Sequence, residues 1–305
     1  MRNGITSVTR HLLAGRTRSS SRRRCEIPHF DWTRTDKVRA AANLVFNGGK
    51  MSAADAREAI NLLQKESEEH IRDRVGANFY KKYFPTNRHG CVWNQGAPIG
   101  WVDHYTAGIG SKGTLMWFSS RDRGPGVGNS CAHFVMDHDG TSMILVDPLT
   151  TVTWHATWAN PRYIGVEHVN AGLLTKNEDG RLLYQDKHLY PVKANKPVQE
   201  IGGKFWEPYT TAQIAANIML KRLIYLALPT LKEDKFVDHE IIDPKRKTDC
   251  GPLWPLKALN ELVFSWENAH RVGVLDEEAV LTKDGVDRFN AEVQALTTST
   301  TSHVS

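Results

Sequence analysis

The sequence predicts an α/β fold: a mixed β-sheet flanked by helices, with an N-terminal helical extension. Three observations point there. Short apolar runs cut by Gly and Pro fill the middle of the chain from Cys91, a long helix begins after them near Thr210, and helical spacing dominates the segment before them. At 305 residues, 40% hydrophobic and 24% charged, the chain can bury one sizeable core with room for a small extra module.

The elements follow in order. Asp36 to about Val75 reads as helix: Ser52 before Ala53-Ala54-Asp55 is an N-cap signal, and Ala56, Ile60, Leu63 and Ile71 recur near helical spacing. Asn47-Gly48-Gly49 breaks it from a shorter helix around Val38–Phe46. This region is expected to pack or to dock onto a partner rather than to carry chemistry. Ile99–Tyr105, Ala132–Met136 and Ser142–Val146 read as strands, and Asp137-His138-Asp139-Gly140 turns the last two into a hairpin. Tyr163–Val169 is a further strand. Thr210-Thr211-Ala212-Gln213 is a capping start for a helix running to about Leu228. From Thr297 the chain is rich in Ser and Thr and is expected to fray. The resulting division is a basic disordered arm over 1–30, a helical accessory region over 31–85, a main domain over 86–272, and a C-terminal extension with a disordered tail over 273–305.

Charge is unevenly placed. Residues 1–24 hold seven arginines and no acid, and removing those seven from the formal +5 leaves the remainder at about −2. The basic balance therefore describes an arm, a solvated tether for anionic polymers, and no specific nucleic-acid face. His11-Leu12-Leu13-Ala14 is too short for the apolar core of a secretory signal, and no stretch approaches the roughly 20 apolar residues of a membrane helix. A soluble protein is expected, made in the cytoplasm. Cys25, Cys91, Cys131 and Cys250 lie far apart without a CxxC pair. Two disulfides are possible by count, but the spacing favours free thiols.

Thirteen histidines invite a search for metal ligands. The HExxH spacing is absent, and His239-Glu240-Ile241-Ile242-Asp243 lacks its second His. Phe236-Val237-Asp238-His239 is a short apolar run ending in His, followed ten positions on by Asp249 across a Pro-containing loop. That spacing can bring two ligands round one cation, with a third arriving from elsewhere.

The loop Pro244-Lys245-Arg246-Lys247-Thr248-Asp249-Cys250-Gly251-Pro252 resembles the closing motif of the type 2 N-acetylmuramoyl-L-alanine amidases, the family of AmpD-type recycling amidases, phage amidase lysins and peptidoglycan recognition proteins. Cys250 stands where the AmpD-like motif has Pro. Trp101-Val102-Asp103-His104-Tyr105-Thr106, Cys131–Gly140, Trp154-His155-Ala156 and Ile164-Gly165-Val166-Glu167 resemble further motifs of that family in the same order, and Phe205–Thr210 with Gln213 does so more loosely. The resemblance spans about residues 91 to 260.

It implies zinc bound by His104, His239 and Asp249, Glu167 as general base, Lys247 stabilising the oxyanion, and His155 lining the cleft to orient substrate or assist charge stabilisation. Three protein ligands would leave a fourth position for water, the pattern of a catalytic zinc. Cys250 is a rival to Asp249, because thiolate is a strong zinc ligand. His133, His138 and His168 match no ligand position and read as structural. Trp117, Trp158 and Trp206 read as core rather than as faces for sugar or peptide. The implied activity is hydrolysis of the lactyl–L-alanine amide of peptidoglycan, as a phage-type or other lytic wall hydrolase. The alternatives are a cytosolic muropeptide-recycling amidase and a non-catalytic peptidoglycan-binding module.

Overall fold

The computed structural model describes residues 51–83, 92–119, 130–192, 196–264 and 282–301. The arginine-rich arm, the helix expected around Val38–Phe46, Cys25, Cys91 and the stretch 265–281 lie outside the described residues.

Helix α1 (Ala53–Val75) begins at Ser52, whose hydroxyl accepts from the Asp55 amide while Asp55 bonds back to the Ser52 amide. This reciprocal pair satisfies two of the donors a helix start leaves open. Gly76 ends it, and α2 (Ala77–Tyr83) follows. Strand β1 (Gly100–Tyr105), helix α3 (Ser111–Ser119), the hairpin β2 (Phe134–Met136) and β3 (Ser142–Ile144), and β4 (Tyr163–His168) come next. Five short strands then form a second sheet: β5 (Leu173–Lys176), β6 (Leu182–Tyr184), β7 (His188–Leu189), β8 (Gln199–Ile201) and β9 (Lys204–Trp206). Helix α4 (Thr211–Ala227) is capped by Thr210 and Gln213 as the sequence predicts. Strand β10 (Phe236–Asp238), the one-turn helix α5 (His239–Ile242), α6 (Leu256–Phe264) and α7 (Lys283–Thr301) complete the described chain.

The main sheet runs β10-β1-β4-β2-β3, with β10, β1, β4 and β2 parallel and β3 antiparallel at the edge. Side chains alternate across it. Trp101 and Ile164 join the core shared with α4, and Asp103 bonds to Asn217 and Lys221 of that helix. Val102 packs on the other face with Ala156, Ala159 and Tyr163. Helix α4 is buried along nearly its whole length, which its apolar sequence requires. Below the cleft, Asp103 accepts from Trp101 Nε1, Asn217 Nδ2, Lys221 Nζ and Trp254 Nε1 at 2.6 to 3.2 Å. Such a set is what a buried carboxylate needs to stay charged.

Both ends of the described chain pack onto its middle. A boundary near residue 86 would separate elements that are packed together: Ala56, Ala59, Ile60 and Leu63 of α1 lie in the same core as α4, and Ile71 and Val75 pack with Leu115 and Phe118 of α3. The C-terminal extension is likewise core: α7 buries Val286, Phe289 and Val293, and the helix continues through the Ser/Thr-rich stretch to Thr301. No helix among the described residues is long and apolar enough to cross a membrane. Cys131 and Cys250 are free and buried.

Candidate metal centre

The parallel strands β10, β1 and β4 end side by side, and their carboxyl ends carry the site. Register pairs His104 with Glu167, while Asp103 faces Asp238, so His239 falls beside His104 one residue on. Asp238 accepts from the Ile241 amide and turns the chain into α5, which points His239 inward. The loop after α5 returns Asp249 to the same place. His104 Nδ1 lies 2.8 Å from His239 Nδ1 and 3.1 Å from Asp249 Oδ2, and His239 Nδ1 lies 2.9 Å from Asp249 Oδ2. All three residues are buried. Among the described residues this is the one group of such side chains that can share a cation, and Cys250 does not belong to it.

The donor set fits zinc. Ligands held about 2.0–2.1 Å from a tetrahedral zinc stand roughly 3.3 Å apart, close to the spacing found between these atoms. Three lone-pair atoms facing one another out of water repel unless a cation or shared protons lie between them. Burial would raise the Asp249 pKa, but the two imidazoles of His104 and His239 beside it outweigh that and hold the carboxyl well below its usual range. Burial lowers His104 to about 4, which favours the neutral imidazole a metal requires.

A chain of hydrogen bonds sets which nitrogen of His104 faces that point. The Tyr163 carbonyl, which only accepts, lies 2.9 Å from His155 Nε2, so that nitrogen donates. Burial keeps His155 neutral, leaving its Nδ1 as an acceptor 2.9 Å from His104 Nε2. His104 Nε2 then carries the proton, and its Nδ1 presents a lone pair to the cluster. Gly165 makes room for this arrangement: a Cβ there would stand 2.5 Å from the His155 ring. Asn160 Oδ1 accepts from the His155 and Ala156 amides and fixes the loop.

Glu167 faces the cleft with Oε2 buried and unpartnered. Burial first, and then the Asp249 charge, push its pKa well above the usual carboxylate value, with Lys247 opposing. The cleft holds about 870 Å³ and is lined by His104, Glu167, His155, His239, Lys247 and Asp249 together with the loop after β1, α3 and the β6–β7 hairpin. All six residues singled out from the sequence therefore meet in one place. Tyr105 donates or accepts a 2.8 Å bond with Thr248 that ties β1 to the Asp249 loop, a contact the sequence reading did not single out.

Of the three histidines read as structural, His133 bonds with Thr151, Thr153 and the Gly165 amide, His168 bonds with Asp103, and His138 lies 3.5 Å from Glu207. Trp206 is buried as expected, but Trp117 and Trp158 are 47% and 63% exposed, so neither is core. Trp117 and the exposed Trp154 line the cleft.

Fold and site together define an α/β chain with a buried two-histidine, one-aspartate cluster at the carboxyl edge of its parallel strands. A sequence profile described as N-acetylmuramoyl-L-alanine amidase matches residues 94–252, and the chain belongs to that family. It is 39% identical over 72 residues to the N-acetylmuramoyl-L-alanine amidase AmiD of Escherichia coli (strain K12), a match covering 23% of this chain and 26% of that relative. The structure of AmiD in complex with anhydro-N-acetylmuramic acid-L-Ala-D-gamma-Glu-L-Lys aligns at 25% identity and a TM-score of 0.37, over 54% of this chain and 58% of that one. AmpDh3 from Pseudomonas aeruginosa in complex with anhydromuramic pentapeptide aligns at 22% identity and a TM-score of 0.37, over 58% and 63%.

Proposed function

We propose that this chain is a zinc-dependent amidase that hydrolyses the bond between the N-acetylmuramoyl lactyl group and L-alanine in peptidoglycan or its fragments. The observation that carries the reading is the convergence of His104 Nδ1, His239 Nδ1 and Asp249 Oδ2 within 3.1 Å of one another beside the unpartnered Oε2 of Glu167. Zinc bound by these three residues would supply a Lewis acid and lower the pKa of water toward 7. Glu167, its pKa raised by burial and the Asp249 charge, takes a proton from the attacking water and returns it to the departing nitrogen. The new carbon–oxygen bond forms first and moves the carbonyl electron pair onto oxygen; return of that pair breaks the carbon–nitrogen bond, giving a muramoyl carboxylate and a peptide with a free amino terminus. Lys247 lines the cleft and offers its cation to the oxyanion formed on the way.

The exposed faces of Trp117 and Trp154 on the cleft lining suit a substrate that carries sugar, and we favour the wall polymer, cut in the manner of a lytic hydrolase. Mass spectra of purified sacculi digested by the protein, set beside a digest of soluble muropeptides, test both halves. Release of free stem peptides from sacculi is the expected result. Cleavage of soluble muropeptides alone would replace the lytic role with recycling, and binding without cleavage of either would leave a recognition module.

A further inference from the structure

The charge of the cleft is lopsided. Among the described residues its lining carries Lys112, Lys187, Arg246 and Lys247 against two carboxylates, Glu167 and Asp249. Asp249 is turned into the histidine cluster and Arg246 is paired with Asp243 at 2.7 Å. Lys112 and Lys187 are exposed and have no acidic partner among the described residues. A bound divalent cation would add to the same sign. Like charges gathered in a cleft raise the local concentration of anions, and an anionic ligand completes such a set.

Lys187 is not on a freely placed loop. It closes the turn between β6 and β7, in which Gln185 and Asp186 hold φ of 50° and 56°. Gln185 Nε2 donates to the Ala107 carbonyl at 2.9 Å, and Ala107 itself has φ of 50°. Two consecutive left-handed residues are what a tight hairpin turn of this hand requires, so the register of β6 and β7 fixes where Lys187 stands. Here one hydrogen bond joins two left-handed residues, Ala107 and Gln185, and fixes the hairpin against the loop that follows His104 and Tyr105.

We propose that Lys187, held over the cleft by this bridge, and Lys112 of α3 form a carboxylate-reading subsite for the peptide on the departing side of the scissile bond. The chain then selects stems whose carboxylates are free over stems whose carboxylates are amidated. The identity of the ligand as a stem peptide rests on the amidase reading; the charge preference rests on the cleft itself.

The test reads binding apart from turnover. The Glu167→Gln protein is titrated calorimetrically with two synthetic muramoyl tripeptides, identical except that the glutamyl and C-terminal carboxylates are free in one and amides in the other. The free acid binds about tenfold tighter at low salt, and the gap narrows toward about 0.5 M salt. Lys187→Met and Lys112→Met each take about threefold from that advantage and leave the diamide unchanged. Lys187→Arg retains the advantage, as does Lys204→Met on β9, outside the cleft lining. Equal affinities, no measurable binding of either peptide, or a Lys187→Met loss that falls on both alike overturns the subsite. Turnover of the two peptides by the wild-type protein is scored separately. A binding gap without cleavage sinks the amidase reading alone, and cleavage without a gap sinks the subsite alone.

Discussion

Asp249 and Cys250 are neighbours with different surroundings. The carboxylate is 2.9 and 3.1 Å from two imidazole nitrogens, whereas burial and the charges of Asp103 and Asp249 push the Cys250 thiol well above its ordinary pKa. Asp249→Ala is expected to cost most of the zinc affinity, and Cys250→Ser little; competition against a chromogenic chelator measures both. A sulfur-to-metal charge-transfer band in cobalt-loaded wild type, lost in Cys250→Ser, would reverse that assignment. Gly165→Ala drives a methyl into His155, removes the acceptor for His104 Nε2–H, and should weaken zinc by about 10- to 100-fold with the three ligands intact. Unchanged zinc affinity would refute the tautomer chain. Glu167 is needed as carboxylate, and its pKa is raised, so activity should climb with pH through a limb lying above the usual carboxylate range. Lys247 lowers that pKa, so Lys247→Met should move the limb to higher pH as well as slow turnover. A limb that stays put would remove Glu167 as the titrating group.

Among the elements, legibility followed burial. The strands β1, β2, β3 and β4 and the helix α4 are almost wholly buried, and the sequence shows them within a residue or two. The second sheet was missed because its strands are short and half exposed, with Lys176, Glu200 and Lys204 breaking the alternation. Gly202-Gly203, both at positive φ, between β8 and β9 was the available hairpin signal. The site was legible through family motifs; spacing alone reached only His239 and Asp249, because His104 arrives from a strand 135 residues away. Helix α1 showed its apolar stripe but not its partner, and its burial changes what the smallest working unit should be. Ile60, Leu63, Ile71 and Val75 are each worth about 1.5–3 kcal/mol when buried, and all four are buried. A fragment over 87–272 should therefore fail to fold, while one retaining residues 51–301 should fold; circular dichroism and thermal melts decide. Cooperative melting of the shorter fragment would restore the boundary near residue 86.

At the scale of the whole molecule, two linkages are expected. Zinc bound to the folded chain but not to the unfolded one raises Tm with metal concentration, and chelation lowers it. Glu207, just after β9, bonds Lys196 at 2.6 Å and the Ala171 amide and lies 3.5 Å from His138 in the β2–β3 turn. Burial alone would raise its pKa, but His138, Lys196 and that amide hold it at about 2 against an ordinary 4.5. Its contribution, on the order of 3 kcal/mol, is present above pH 4.5 and lost as pH falls toward 2. Glu207→Gln should flatten the acid limb of a stability profile, and a parallel profile would refute the assignment. One hydrogen bond reaches further than its size. The Ile144 amide of the edge strand β3 donates to Ser67 Oγ on α1, 2.9 Å away. An uncovered edge of that kind recruits strands from other molecules. Because synthesis runs from the amino terminus, Ser67 leaves the ribosome before β3 does, so the group that occupies this edge amide is already made when the edge appears.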